Sequence, residues 1–159
     1  MAGKRAKTLR AAVFPGAGVF EALALETGLR VNHDKGLRIK KIEVQFDPSQ
    51  VASWAATGIS VGFGVTFGDT APAQETWISE DTAIMSWSKA ITSNAVDNVT
   101  DGDLNFEWVA PLGVIVTSNQ VWIWAKPINA SMAGGIHFRI YVEDAVLTEL
   151  EKLQLALAL

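Results

Sequence analysis

Residues 59–67 constrain the fold most. Ile59, Val61, Phe63, Val65 and Phe67 are large and apolar, and Ser60, Gly62, Gly64 and Thr66 between them are small. A period of two held over nine residues predicts a strand with one buried face. The small residues on the other face leave room for another backbone, a subunit or a ligand to approach. The same alternation returns in Ile136, Phe138, Ile140 and Val142, set between His137, Arg139, Tyr141 and Glu143. Leu104, Phe106 and Trp108 repeat it, and Ala83 to Ser88 reads as a short strand containing Trp87. Leu37 and Ile39 alternate with Arg38 and Lys40. The phase then slips at Lys41 and resumes as Ile42, Val44 and Phe46, which predicts a β-bulge. Val121 to Ala125 is apolar on both faces, with Trp122 and Trp124 on one and Val121 and Ile123 on the other. That predicts a strand covered from both sides.

Turn-forming clusters separate these segments. They are residues 32–36, Asp47-Pro48-Ser49, residues 69–74, the acidic stretch 93–103, Pro111 with Gly113, Ser118-Asn119 and residues 126–135. Val19 to Glu26 is compatible with helix and strand, and we read it as strand. About seven or eight short strands without βα alternation indicate an all-β antiparallel sandwich or barrel. In the C-terminal tail, Thr148-x-x-Glu151 is a capping box, and Leu150, Leu153 and Leu157 have helical spacing. Leu153, Leu155, Leu157 and Leu159 also alternate, but the Leu, Glu, Lys, Gln and Ala content favours a short helix. Its leucines would want a partner surface.

At 159 residues and 49% apolar composition, the chain can build one core without staples. With no cysteine there can be no disulfide framework, thiolate zinc site or cysteine nucleophile. No apolar run approaches the ~18 residues of a membrane helix. The basic N-terminus is followed by no apolar stretch, so no secretory signal is expected. The net charge of −4 conceals a split: residues 1–41 carry nine of the thirteen Lys and Arg and only three acids. Residues 1–12, MAGKRAKTLRAA, read as a mobile basic arm, and Phe14-Pro15-Gly16-Ala17-Gly18 as a hinge. The expected organisation is arm and hinge over 1–18 and one β-sandwich domain over 19–159. The arm's charges, Lys4, Arg5, Lys7 and Arg10, would seek an anion, either nucleic acid or an acidic neighbouring subunit.

No catalytic residue, metal site or cofactor is expected. Gly58-Ile59-Ser60-Val61-Gly62 matches the spacing of a serine nucleophile elbow, with acids and His137 following. That motif needs a sharp strand-to-helix turn, whereas Ser60 lies within an uninterrupted alternating strand. Gly16-Ala17-Gly18 lacks the third glycine and the βαβ setting of a phosphate loop. The residues Asp97, Asn98, Asp101 and Asp103 do not complete a calcium loop, because Trp108 stands where the closing acid belongs. Six tryptophans are the compositional outlier. Most belong to strands and read as core or interface. Trp54 and Trp77, nearer loops, are the candidates for ligand or interface contact.

A basic arm from Lys4-Arg5-Ala6-Lys7 through Arg10, the Phe14–Gly18 hinge and a strand series ending in Ile136–Val142 together resemble the single jelly-roll capsid proteins of small icosahedral viruses. The resemblance implies a jelly-roll sandwich of about eight strands and self-assembly into the shell of a virion. It further implies an arm lying on the genome or on a neighbouring subunit, and it accommodates the leucine-rich C-terminus as an intersubunit contact. The rival expectation is a carbohydrate- or ligand-binding β-sandwich of lectin or phage-tail type. This accounts for the tryptophans and the small-residue face but not for the arm.

Overall fold

The computed structural model describes residues 6–16, 18–29, 35–46, 59–77, 79–94, 99–101, 105–127 and 135–157. Among them are nine strands: β1 (Ala6–Val13), β2 (Glu21–Glu26), β3 (Lys35–Phe46), β4 (Ile59–Phe67), β5 (Ala83–Asn94), β6 (Val99–Asp101), β7 (Asn105–Val116), β8 (Gln120–Pro127) and β9 (Ile136–Val146). One helix, α1 (Glu149–Leu157), follows. The strands form two antiparallel sheets, in the orders β1-β9-β3-β7 and β2-β8-β4-β5-β6. Apart from β4-β5-β6, every step along the chain crosses from one sheet to the other. That is the winding of a jelly roll, with the three-residue β6 added beside β5. Thus β6 forms within the stretch read as a polar loop, and β5 runs six residues past the predicted Ser88.

The alternations become the inner faces. Val61, Phe63 and Val65 are fully buried on β4, as are Val121 and Ile123 on β8, and Ile136 and Ile140 on β9. On β3 the buried set is Leu37, Ile39, Ile42, Val44 and Phe46, and the register shifts between Ile39 and Lys41. Without the extra residue, a period of two would turn Ile42, Val44 and Phe46 outward. Each such buried side chain contributes roughly 1.5–3 kcal/mol. Phe63 lies at the centre, with ring centroids 5.6 Å from Phe46, 5.5 Å from Phe106 and 6.4 Å from Phe138. The capping box forms as expected. Glu151 donates its N–H to Thr148 Oγ1 at 3.2 Å, and Thr148 N donates back to Glu151 Oε2 at 2.8 Å.

The arm expectation needs correction. Residues 6–13 are not outside the β-structure: they form the edge strand β1, paired residue for residue with β9 from Ala6↔Glu143 to Val13↔Ile136. The deciding pattern is Leu9, Ala11 and Val13, which alternate inward, with Val13 buried. The charges at Lys7 and Arg10 are those of a protected sheet edge, where Lys and Arg discourage pairing with another chain. The presumed hinge is the connection carrying the chain from β1 across to β2. It turns at Val19 N–H to Gly16 carbonyl (3.2 Å) and at Gly18, whose φ is +61°.

Candidate anion and subunit contact surfaces

The outer face of the β2-β8-β4-β5-β6 sheet is where the small residues of β4 leave space, and that space is filled. Trp124 of β8 lies across Gly64, and Trp77, from the β4–β5 connection, lies over Gly62. The two rings meet edge to face at 5.7 Å. Trp124 is fully buried and its Nε1 has no acceptor among the described residues, so shape alone seats the ring. The connection is tied down by Trp122 Nε1 donating to the Gly68 carbonyl (2.9 Å) and by the Lys126–Glu75 ion pair (2.7 Å). A Cβ on Gly64 would stand 2.6 Å from the Met85 carbonyl oxygen and 2.7 Å from the Trp124 ring, neither free to move. Gly64→Ala should therefore lower the melting temperature by roughly 4–10 °C, the range for one overpacked core position. At Gly62 the added Cβ would be 3.3 Å from the tip of Trp77, and the loss should be much smaller. Calorimetry of both variants checks this, and equal losses would contradict the Trp124 seat.

The outer face of the β1-β9-β3-β7 sheet is polar and ordered in rows, because the register aligns one residue from each strand. Thr8, Tyr141, Lys41 and Val109 make one row; Arg10, Arg139, Glu43 and Glu107 the next; Ala12, His137, Gln45 and Asn105 the third. The last two rows line a cleft of about 630 Å³. Charge is segregated across it, basic on β1 and β9, acidic on β3 and β7. Lys41 holds the acidic side. Its Nζ is 2.8 Å from Glu43 and 2.5 Å from Glu107, and it stands 5.6 Å over the Tyr141 ring. Tyr141 Oη donates to Glu43 at 2.8 Å, while Arg139 reaches Glu43 only at 3.5 Å. Arg10 has no carboxylate partner among the described residues. It is registered directly against Arg139, a like-charge pairing that costs stability unless an anion joins it.

The Lys41 hydrogen bond, and after it that of Tyr141, hold the Glu43 carboxyl below its ordinary value. The unfolded chain therefore takes up this proton at higher pH than the folded one. Stability from Glu43 is intact above the ordinary carboxylate range and drains away as pH falls through it. Melting curves between about pH 6 and 3 should fall more steeply for the wild type than for Glu43→Gln. Parallel curves would mean that the network does not couple to folding.

A third surface is apolar. The register jumps from Lys41↔Val109 to Ile39↔Val114, so residues 110–113 leave the ladder of β7. Pro111 and Gly113, read as a chain break, mark this excursion inside one strand. It is pinned by Lys40 Nζ on the Pro111 carbonyl (3.3 Å) and Arg38 Nη1 on the Leu112 carbonyl (2.9 Å). Gly113 has φ +77° with the Arg38 side chain against it, which no Cβ would tolerate. Arg38 Nη2 also lies 3.6 Å from Glu151, joining the excursion to α1. Around this joint Leu112 is 84% exposed, Val146 79%, Leu150 65% and Leu153 58%.

Of the residues expected to carry function, Lys4, Arg5 and Trp54 lie outside the described residues, and so do Asp97, Asn98 and Asp103 of the acidic stretch that completes no calcium loop. Lys7 pairs with Asp144 at 2.9 Å, an exposed ion pair of about 0–1 kcal/mol. Arg10 faces the cleft, and Trp77 packs edge to face on Trp124 with 40% of its surface still exposed. Ser60 sits in mid-strand on one sheet and His137 on the outer face of the other, so the elbow spacing assembles no dyad. Arg139 and His137 join Arg10 on this cleft, a grouping that the motifs in the sequence do not mark. Their signal was the polar phase of the β9 alternation, which aims both to the same side as Arg10. No helix of the described residues is long and apolar enough to cross a membrane, and these residues contain no group of three metal-ligating side chains.

No protein-family model matches this chain, and no curated protein matches it. Among solved structures it is similar to a chain in the X-ray crystal structure of tomato aspermy virus, at 10% identity and a TM-score of 0.46, over 94% of this chain and 81% of that one.

Proposed function

We propose that this chain is a structural subunit that assembles with copies of itself into the shell of a virion, with its basic N-terminal segment contacting nucleic acid or a neighbouring subunit. The apolar end built by Leu112, Val146, Leu150 and Leu153 carries the reading. Four large apolar side chains stand exposed on β7, at the end of β9 and on α1, and exposed apolar surface of this kind marks a protein–protein contact. The strand order supports it, since jelly rolls serve as viral capsid domains as well as lectins. For the lectin alternative, Trp77 and Trp124 themselves fill the space over Gly62 and Gly64, which narrows the face on which a sugar would stack. The role is structural, not enzymatic, and no cofactor enters it. Sedimentation velocity and negative-stain microscopy of the purified protein test it. Large closed particles, or smaller oligomers that convert to them with salt or pH, are expected. A monomer at micromolar concentration under all conditions would overturn the reading.

A further inference from the structure

We propose that the β1–β9 half of the polar sheet face is a track for single-stranded nucleic acid, with Arg10 and Arg139 holding a phosphate and Phe14 and His137 stacking a base. The inference deepens the nucleic-acid contact of the proposed shell subunit and rests on that reading for its partner. It places that contact on a built surface of paired strands.

Along the outward side of these two strands the cross-strand pairs are Thr8 with Tyr141, Arg10 with Arg139, and Ala12 with His137. Phe14 then follows on the chain, lying across Gly135. Successive outward pairs are about 6.8 Å apart. Two arginines thus stand together, followed by an imidazole and then by a phenyl ring that is 61% exposed and meets His137 edge to face at 6.4 Å. Guanidinium groups bind phosphate through paired N–H donors, and aromatic rings beside them accept bases of any sequence. Glu43 already meets Arg139 from β3 at 3.5 Å, and an anion between Arg10 and Arg139 would relieve the rest of the like-charge pairing that the register imposes.

Gly135 is what lets Phe14 pack there, because a Cβ on it would stand 2.8 Å from the phenyl ring. Gln45 and Asn105 line the same cleft and add amide donors to its floor. The acids are the fence. Glu43 and Glu107 bound the cleft on β3 and β7 and repel phosphate, so the strand is confined to β1 and β9. Lys41 bridges both and Arg139 reaches Glu43 at 3.5 Å, so Glu107 keeps the less compensated charge.

Fluorescence anisotropy of a labelled twelve-nucleotide oligo-dT and of the matching oligo-U, titrated at several salt concentrations, tests the track. The wild type should bind both, with log affinity falling linearly in log salt. Arg10→Ala with Arg139→Ala should flatten that slope by about 0.7, the worth of the one phosphate they hold. Phe14→Ala should weaken binding about tenfold or more at unchanged slope. Glu107→Gln should tighten binding, an effect in the opposite direction that misfolding cannot imitate. Polyphosphate, which has no bases, should compete less well than oligo-dT at equal charge and should be insensitive to Phe14→Ala. If the double arginine variant keeps the wild-type slope while removing residues 1–5, with Lys4 and Arg5, abolishes it, the contact is the N-terminal segment and the track is wrong. If the wild type binds no oligonucleotide even at low salt, the track is wrong too, and particle formation then decides separately whether the shell reading stands.

Discussion

A chain lacking residues 1–13 should melt roughly 10 °C below the full-length protein, or fail to fold cooperatively. Truncation removes all of β1, whose eight residues pair in unbroken register with β9. Val13 is 1% exposed, and Leu9 and Ala11 pack against the core beside it. Burial of one valine is worth roughly 1.5–3 kcal/mol, against a total stability of about 5–15 kcal/mol for a domain. At about 2–4 °C per kcal/mol for a chain of this size, Val13 alone accounts for much of the shift. The truncated protein should also aggregate on unfolding, because β9 becomes a bare edge whose inner face carries Phe138 and Ile140. Differential scanning calorimetry gives the answer. An unchanged transition would mean that β1 is a detachable arm laid on the sheet, contrary to its register and burial.

Leu150→Glu combined with Leu153→Glu should abolish assembly while leaving the subunit folded. Both side chains are more than half exposed on α1, so the monomer loses little, within about 0.5 kcal/mol for such surface changes. Glutamate is also a good helix former. In an assembled interface the same positions would place two carboxylates in an apolar patch. Each well-placed contact residue lost from an interface costs about 2 kcal/mol or more, roughly thirtyfold in dissociation constant. Leu112→Glu should act in the same direction, since Arg38 ties residues 110–113 to the helix. Sedimentation velocity and electron microscopy at matched concentration compare the variants with wild type. Particles of wild-type size from all three would show that the apolar end faces solvent in the assembly.

How far the chain could be read without coordinates depended on residue-level alternation. Ile59 to Phe67 and Ile136 to Val142 emerge as strands with the inner faces the periodicity assigns. The phase slip at Lys41 is a bulge, and the Thr148–Glu151 box caps a helix. Each depends on neighbours within a few positions, which is the range over which side-chain phase and capping act. The N-terminus was misjudged for the same reason. Four cations within the first ten residues dominate its composition, while Leu9, Ala11 and Val13 are too short an alternation to outweigh them. Their strand exists because β9, more than 120 residues away in sequence, offers an edge.

The order of strands in the sheets followed the same rule. Alternation says which face of a strand is buried but not which strand lies beside it. Pairing β1 with β9 and β3 with both β9 and β7 is decided by closing two sheets over one core. So is the fate of the tryptophans. Local pattern marks Trp124 as covered on its outer side, and only the β4–β5 connection folding back shows that Trp77 is the cover. The candidate site is the extreme case. Arg10 and Arg139 stand far apart in the chain, and nothing near either residue announces the other. Antiparallel register makes them neighbours, and a shift of one residue would send one of the two to the opposite face. Local alternation was enough for the all-β class and for the inner and outer faces of β3, β4 and β9, with the charge each face carries. Tertiary structure alone decided which charges meet, because a meeting requires partners that no local interaction selects.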